Sequence, residues 1–148
     1  MEYGKITPDV LEELNRICGD QYVLTSGEAI ENYSHDYTED LRFYPEVVVK
    51  PITAEEISSI VKICNISKIP VTPRGAGTGL SGGALPVFGG IVISMERFNK
   101  ILEIDERNLQ ATVEPGVINQ VFQDAVIEKG LFYPPDPASR GSCFLGGN

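Results

Sequence analysis

The amino-acid sequence predicts an α+β fold in which a parallel strand–helix–strand unit precedes the start of a mainly antiparallel sheet. The apolar runs "EVVVKP" at 46–51 and "IPVTP" at 69–73 flank a segment with helical periodicity. Two strands joined by a helix of that length are typical of a parallel crossover. Further on, apolar and polar residues alternate on both sides of the polar turn "DERN" at 105–108, which predicts a hairpin.

The first helix is predicted near the N-terminus, within a lead-in segment of residues 1–44 that precedes the main domain of residues 45–148. Thr7 suits the N-cap, Pro8 the first helical position and Gly19 the end. The apolar residues of this helix recur on one face: Val10, Leu11, Leu14, Ile17 and Cys18.

The crossover helix is predicted over residues 54–68. Thr53 and Glu56 have the spacing of a capping box. Its expected buried stripe consists of Ile57, Ile60, Val61 and Cys64. A further strand is predicted at "GGIVISM", residues 89–95.

A last helix is predicted in "VINQVFQDAVIEKG", residues 117–130, with Gly130 just after its end. The residues expected to face inward are Val117, Val121, Phe122, Ala125 and Val126. Phe132 and Tyr133 are also expected in the core.

Composition excludes several classes of protein. The 148 residues are 42% hydrophobic, which suffices for one domain with a sizeable core. The net charge of −9 argues against nucleic-acid binding, which needs a basic surface. The sequence has no CxxC pair among its three cysteines and no apolar run long enough for a membrane span or a signal peptide. We therefore expect a cytoplasmic protein without a zinc site, a disulfide framework or a membrane span.

The stretch "PRGAGTGLSGGA", residues 73–84, contains five glycines. Residues 77–82 match the pattern GxGxxG, but a Rossmann fold requires those glycines to open a helix. A proline, two more glycines and a β-branched strand follow instead, and no Gly-Lys-Ser/Thr step of a phosphate-binding P-loop is present. Both of these nucleotide-binding motifs are therefore excluded.

Bare backbone at this loop still has a chemical use. Successive glycine N–H groups can point into one concavity and bind an anion such as a diphosphate. Arg74 either adds positive charge there or braces the loop. The alternative is a mobile surface loop without a ligand.

Residues 73–84, with "PEVVVKPITAEEISSIV" before them and "VEPGV" and "PPDPASRGSCFLGGN" after them, resemble a known flavoprotein domain. It is the FAD-binding domain of the vanillyl-alcohol oxidase/p-cresol methylhydroxylase (PCMH) family, within which the glycolate oxidase large subunit and D-lactate dehydrogenase branch is most alike. The resemblance runs from about residue 45 to the end, with four motifs in family order. It implies a PCMH-type fold that is truncated in its second subdomain.

The resemblance implies that FAD contacts three regions: the glycine loop, the turn after the hairpin, and the C-terminal segment. The implied contacts are Pro73, Arg74, Gly75, Ala76, Gly77, Thr78, Gly79, Leu80, Ser81, Gly82, Gly83, Pro115, Gly116, Pro135, Asp136, Ser139, Ser142, Gly146, Gly147 and Asn148. Some relatives bond flavin covalently to a histidine at the position of Thr78. The threonine there predicts dissociable FAD.

For the whole protein, the resemblance implies oxidation of a D-2-hydroxy acid such as glycolate or D-lactate, with hydride transfer to flavin N5. It implies an iron–sulfur subunit or an electron-transferring flavoprotein as a possible electron acceptor. It also places catalytic and metal-binding residues beyond residue 148, so we expect weak FAD binding by these 148 residues alone. The alternatives are an alditol oxidase, an enolpyruvyl reductase, or a nucleotide-binding or assembly module without redox chemistry.

Other polar residues have simpler interpretations. His35 is expected to be a surface or capping residue, and Asp36, Glu39 and Asp40 a solvated acidic turn rather than a metal site. Cys143 is expected to be a small buried residue beside the flavin. Asp136 is either a loop-bracing acceptor or a contact to the ribityl chain.

Overall fold

The computed structural model describes residues 2–148 and contains two sheets and four α-helices in that range. In chain order the elements are α1 (Pro8–Cys18), β1 (Val23–Leu24), α2 (Glu28–Glu31), β2 (Val47–Val49), α3 (Ala54–Ser67), β3 (Val71–Arg74), β4 (Ile91–Ser94), β5 (Ile101–Asp105), β6 (Gln110–Val113) and α4 (Asn119–Ile127). Short 3₁₀ turns cover Asp20–Tyr22 and Leu145–Gly147.

The larger sheet has the strand order β1-β2-β4-β3. Strands β2 and β3 both pair in parallel with β4, with Val47 and Val71 each opposite Ile91. Strand β1, which the sequence pattern did not predict, pairs antiparallel with β2. The predicted parallel unit is confirmed, and the carboxyl ends of β2, β3 and β4 meet at one edge of the sheet.

The central strands are buried on both faces, which explains why they read as continuous apolar runs. On one face, Val47 and Ile91 pack with Leu14 of α1 and Ile60 of α3. On the other face, the smaller cluster consists of Ile30, Tyr33, Val48 and Val92. Each fully buried aliphatic side chain stabilises the fold by about 1.5–3 kcal/mol.

Two of the cysteines belong to the larger core. Cys18 and Cys64 are both buried in it. Burial raises the pKa of each thiol to about 11, since a thiolate would lose its hydration there. The cysteines therefore pack as small apolar residues.

The ends of α1 and the N-terminus of α3 follow the predicted capping residues, whereas α4 ends at Ile127, before the predicted Gly130. Thr7 Oγ1 accepts a hydrogen bond from the N–H of Val10 (3.4 Å), and Thr53 Oγ1 accepts one from Glu56 (3.1 Å). Helix α3 ends at Ser67, where Lys68 takes a left-handed conformation with φ +56°. The prediction that Val61 is buried is wrong: its side chain is 44% exposed, because α3 packs on the sheet through a narrower face.

The hairpin β5–β6 is confirmed, and it packs against α4 to form a second, smaller core. Val117, Phe122 and Val126 are buried there, and Tyr133 packs edge-on against Phe122 with ring centroids 4.9 Å apart. The predictions for Val121 and Phe132 are wrong, since both side chains are exposed. A two-stranded sheet covers only one side of α4, so the other side stays solvated.

The lead-in segment joins the same fold. Helix α1 packs on α3, and β1 extends the larger sheet. The domain boundary at residue 45 stays a prediction. No helix in residues 2–148 is both long and apolar enough to cross a membrane.

A charged network lies beyond the carboxyl ends of β2 and β4. The Tyr33 hydroxyl donates to the Glu96 carboxylate, and Lys50 Nζ donates to its other oxygen at 2.9 Å. Burial alone would raise the pKa of Glu96, but the hydrogen bonds from Tyr33 and Lys50 outweigh it and leave the pKa lowered. Ionised Glu96 therefore stabilises the native state above the carboxyl's unfolded-state pKa, and this contribution is lost as the pH falls through the folded-state pKa.

We expect Glu96→Gln to lower the free energy of unfolding by about 1 kcal/mol at pH 7, a value discounted for solvent screening because the side chain is 37% exposed. The difference from the wild type should be smaller at pH 3, which lies below the unfolded carboxyl's pKa of about 4.3, because the contribution declines as the pH falls toward and through the folded-state pKa. Urea unfolding at both pH values measures this. Glu103→Gln, at an exposed position on β5, is the control and should show no pH-dependent loss. A loss in Glu96→Gln that is equal at pH 3 and pH 7 would contradict the expectation.

Candidate functional site

A cleft of about 490 Å³ lies between the glycine loop, which follows β3, and the C-terminal segment. Its volume is within the range of about 300–1,000 Å³ that is usual for ligand pockets. Ligands of open α/β sheets bind outside the carboxyl ends of the strands, and this cleft occupies that position. It is lined by residues 73–81, 83, 84, 95, 115, 139, 143, 144 and 146–148.

The side chain of Arg74 holds the glycine loop in place. It is 6% exposed, and its guanidinium donates to the carbonyl oxygens of His35 (2.7 Å), Asn32 (3.1 Å) and Ala84 (3.4 Å). Burial lowers the pKa of Arg74, and the charge of Asp36 opposes that shift. The guanidinium also lies over the Tyr33 ring at 5.5 Å. Of the two roles considered for Arg74, the geometry shows the brace.

The interpretation of residues 36–40 as a solvated acidic turn is wrong for Asp36. Its side chain is 7% exposed, and Oδ1 accepts a hydrogen bond from the N–H of Thr38 (2.8 Å). Oδ2 is buried without a hydrogen-bond partner among the described atoms and lies 3.9 Å from where a Cβ on Gly79 would be. Glu39 and Asp40 are exposed as expected. No metal-binding group of three or more His, Cys, Asp or Glu side chains occurs in the described part of the chain.

The lead-in contacts the glycine loop directly. The N–H of Tyr37 donates to the carbonyl of Gly79 (3.1 Å), and the N–H of Gly82 donates to Thr38 Oγ1 (2.8 Å). The His35 ring is half-buried beside Ser34, with Nδ1 3.4 Å from Oγ. The segment that carries the sole histidine thus supports the loop from behind.

Most backbone N–H groups of the glycine loop have no hydrogen-bond acceptor among the described residues. Among the hydrogen bonds of residues 2–148, Gly82 supplies the one backbone N–H from positions 75–84 that reaches a protein acceptor. Unpaired N–H groups lining a concavity are what an anion such as a diphosphate requires. The residues present therefore fit a phosphate-containing group.

The glycines divide into two kinds. Gly77 has φ +73°, and a Cβ there would overlap the guanidinium of Arg74; a Cβ on Gly146 would overlap Pro115. By contrast, a Cβ on Gly83 or Gly147 would have no atom within 4 Å. Packing requires glycine at the first two positions, whereas at the last two the absent side chain leaves space on the cleft wall.

The opposite wall is attached to the turn after β6 and to the start of α4. The N–H of Leu145 donates to the carbonyl of Val117, and the N–H of Gly146 to that of Pro115, both at 2.9 Å. Phe144 also forms an isolated antiparallel bridge with Ile118. The C-terminal glycines are therefore fixed opposite the glycine loop.

The cleft gathers most, but not all, of the expected contact residues. Five lie outside its lining: Gly82, Gly116, Pro135, Asp136 and Ser142. Asp136 is exposed and paired with Arg140 at 2.7 Å, which fits the loop-bracing role. Cys143, expected as a small buried residue, is buried and also lines the cleft. Three lining residues are additional to the expected set: Ala84, Met95 and Phe144. Met95 directly follows β4, so its place at the carboxyl end of a central strand was the signal that could have identified it.

A cleft lined by backbone N–H groups suits a phosphate-containing cofactor. The family model described as FAD binding domain matches residues 45–148, and the chain belongs to this family. Its cofactor is FAD. The resemblance to PCMH-type flavoproteins and to their hydroxy-acid branch is thereby confirmed.

The relatives agree in class. The chain is 46% identical to the glycolate oxidase subunit GlcD of Bacillus subtilis (97% of this chain, 30% of the relative). It is 41% identical to the D-lactate dehydrogenase of Anaerostipes hadrus (99% and 31%). It is 36% identical to the D-2-hydroxyglutarate dehydrogenase of Stutzerimonas stutzeri (95% and 30%). The chain thus spans about 30% of the length of these relatives.

Solved structures share the fold. A structure of alkyldihydroxyacetonephosphate synthase superposes with a TM-score of 0.86 at 21% identity, covering 99% of this chain and 29% of that one. p-Cresol methylhydroxylase with bound substrate superposes with a TM-score of 0.74 at 30% identity, covering 83% and 25%.

We expect Arg74→Ala to lower the free energy of unfolding by about 3 kcal/mol, because three carbonyl acceptors lose a charged donor in a buried place. Arg74→Lys should recover only part of this, since an ammonium group cannot span all three acceptors. Thermal and urea unfolding measure the effect. The control is Arg42→Ala, which removes an exposed ion pair with Glu31 and should cost no more than about 1 kcal/mol. Equal losses in the two alanine variants would contradict the bracing role.

Proposed function

We propose that the cleft binds FAD non-covalently, with the diphosphate held by backbone N–H groups of residues 75–84. The observation that carries this proposal is the set of loop N–H groups without protein acceptors. A hydrogen bond to a charged group contributes about 1.5–3 kcal/mol, so three or four such donors suffice to hold a diphosphate. The net charge of −9 opposes this only weakly, since charges beyond about 8 Å are screened at physiological salt.

The two walls have different parts in this proposal. The glycine loop binds the diphosphate, and Pro115 lies along the cofactor. Ser139 and residues 146–148 extend toward the ribityl and flavin portions. Gly82, hydrogen-bonded to Thr38, and Gly116, packed against Met95, support these contacts from behind. Thr78 in the lining stands where some relatives have the histidine that bonds covalently to flavin, and its being threonine supports a dissociable cofactor.

For the whole protein we propose an FAD-dependent dehydrogenase that oxidises a D-2-hydroxy acid, glycolate or D-lactate, to the 2-oxo acid. Bound FAD supplies the hydride acceptor for such an oxidation. The names of the relatives, which act on glycolate, D-lactate and D-2-hydroxyglutarate, support this substrate class. The residues of this chain bind and orient the cofactor.

We further propose a cytoplasmic protein that passes electrons to an iron–sulfur subunit or an electron-transferring flavoprotein. The name of the Bacillus subtilis relative identifies it as a subunit, which supports the existence of a partner. Co-purification of the tagged protein from its own cells, with iron and flavin analysis of the complex, tests this partner.

The decisive test of the cofactor is the visible absorption spectrum of the natural-length protein before and after acid precipitation. We expect flavin bands that move into the supernatant. A protein that stays colourless with added FAD would contradict this proposal and favour the alternative, a mobile surface loop without a ligand. Colour that stays with the pellet would show covalent flavin and contradict the interpretation of Thr78.

The substrate is tested by anaerobic bleaching of the flavin bands. We expect D-lactate or glycolate to bleach the flavin bands, while sugar alcohols and NADPH leave them unchanged. Bleaching by a sugar alcohol or by NADPH alone would favour an alditol oxidase or an enolpyruvyl reductase instead.

We expect Gly83→Ala and Gly147→Ala to weaken FAD binding about tenfold while leaving the midpoint of thermal unfolding nearly unchanged. Each added methyl group meets no protein atom but occupies the wall that the cofactor approaches. Titration of the apoprotein with FAD, followed by flavin fluorescence, measures the affinity. Gly141→Ala is the matched control, because its Cβ is equally unhindered but Gly141 lies outside the lining. Unchanged affinity in both cleft variants would contradict the proposed cofactor position.

A further inference from the structure

Asn119, the first residue of α4, is a fully buried polar side chain outside the cleft lining. Its Nδ2 donates to the carbonyl of Pro135 (3.3 Å), and its Oδ1 accepts from Nδ2 of Asn148 (3.2 Å). Its backbone N–H donates to the carbonyl of Cys143 (3.1 Å). One residue is thus bonded to three separate points of the C-terminal segment.

Packing alone does not explain an amide at this position. Its neighbours in sequence, Val117 and Phe122, are buried in the smaller core, where an apolar side chain would avoid the cost of dehydrating an amide. The cost of dehydrating the Asn119 amide is compensated because its nitrogen and its oxygen each form a hydrogen bond. The partner of the amide oxygen, Asn148, lies in the second wall of the cleft, and the partner of the amide nitrogen, Pro135, lies in the segment that leads to it.

We propose that Asn119 is a positioning residue that fixes the wall formed by residues 143–148, defined here as the C-terminal wall. Its side chain holds the end of that wall at Asn148, and its backbone N–H, which any residue except proline would supply, holds the end at Cys143. The expected effect of Asn119 on FAD affinity rests on the proposed function, because the position of the C-terminal wall affects FAD binding only if FAD occupies the cleft.

The test compares the wild type with Asn119→Ala and Asn148→Ala at natural length. Asn148→Ala removes the same side-chain bond from its other partner. Hydrogen–deuterium exchange followed by mass spectrometry reads the order of the C-terminal wall without cofactor. We expect exchange at residues 145–147 to accelerate about fivefold in both variants, as suits the loss of one hydrogen bond. We expect FAD affinity, read by flavin fluorescence, to fall about tenfold in Asn119→Ala, whose replaced side chain lies outside the cleft lining.

Two controls separate positioning from general destabilisation. Gln123→Ala removes a neighbouring bond to the Pro135 carbonyl (2.8 Å) but none to Asn148. Val126→Ala weakens the core under the same helix. Both should leave the exchange of the C-terminal wall, relative to that of the β5–β6 hairpin, unchanged.

The outcomes distinguish this inference from the proposed function. Faster exchange confined to the C-terminal wall supports the role of Asn119 even if the wild type fails to bind FAD, a result that overturns the proposed function alone. Unchanged wall exchange in both variants overturns the inference. So does acceleration spread equally over the hairpin and the wall, since that pattern marks a merely structural residue. If the wild type binds FAD and Asn119→Ala binds it equally well, the inference is also overturned.

Discussion

The buried guanidinium of Arg74 is the interaction on which the geometry of the cleft depends. It carries only donors, and it meets carbonyl oxygens from the lead-in and from the far end of the glycine loop. A loop with so few bonds of its own needs this external support. The same packing explains why Gly77 is glycine, since a Cβ there would overlap the guanidinium. The loop can then keep its own N–H groups unpaired, as anion binding requires.

The sheet topology determines where this support is useful. Because β2, β3 and β4 run in parallel, their carboxyl ends place three charged side chains at one edge of the sheet. Lys50 and Glu96, which follow β2 and β4, are tied to Tyr33 of the lead-in, while Arg74 ends β3. The lead-in is therefore part of the site even though the family model begins at residue 45. Its role is to close the loop from behind.

Much of this architecture could be predicted from the sequence because the signals are local. Capping residues and one-sided periodicity predicted α1, α3 and α4, whereas the four-residue α2 was not predicted. Burial on both faces made the central strands of the larger sheet continuous apolar runs. Strand β1 is two residues long and has no periodicity to detect. The exposure of Val61 and Val121 depends on how much of each helix its partner covers, which is a tertiary property. The burial of Asp36 is likewise a tertiary property: the N–H of its neighbour Tyr37 donates to the carbonyl of Gly79, more than forty residues away.

The two walls of the cleft are supported by different side chains, a guanidinium at Arg74 and an amide at Asn119. The difference follows from the hydrogen-bonding groups that each side chain meets. Behind the glycine loop the groups to be bonded are all carbonyl oxygens, so a donor-only guanidinium suits them. Behind the C-terminal wall the groups are a carbonyl oxygen and a side-chain N–H, so an amide with one donor and one acceptor side suits them. A charge at Asn119 would lack an opposite charge in the smaller core, which is built from Val117, Phe122 and Val126. At Arg74 the charge is tolerated because carbonyl dipoles, the Tyr33 ring and the nearby Asp36 carboxylate surround it. The positive charge thus lies on the side of the cleft where a diphosphate would bind, and the neutral support lies on the other.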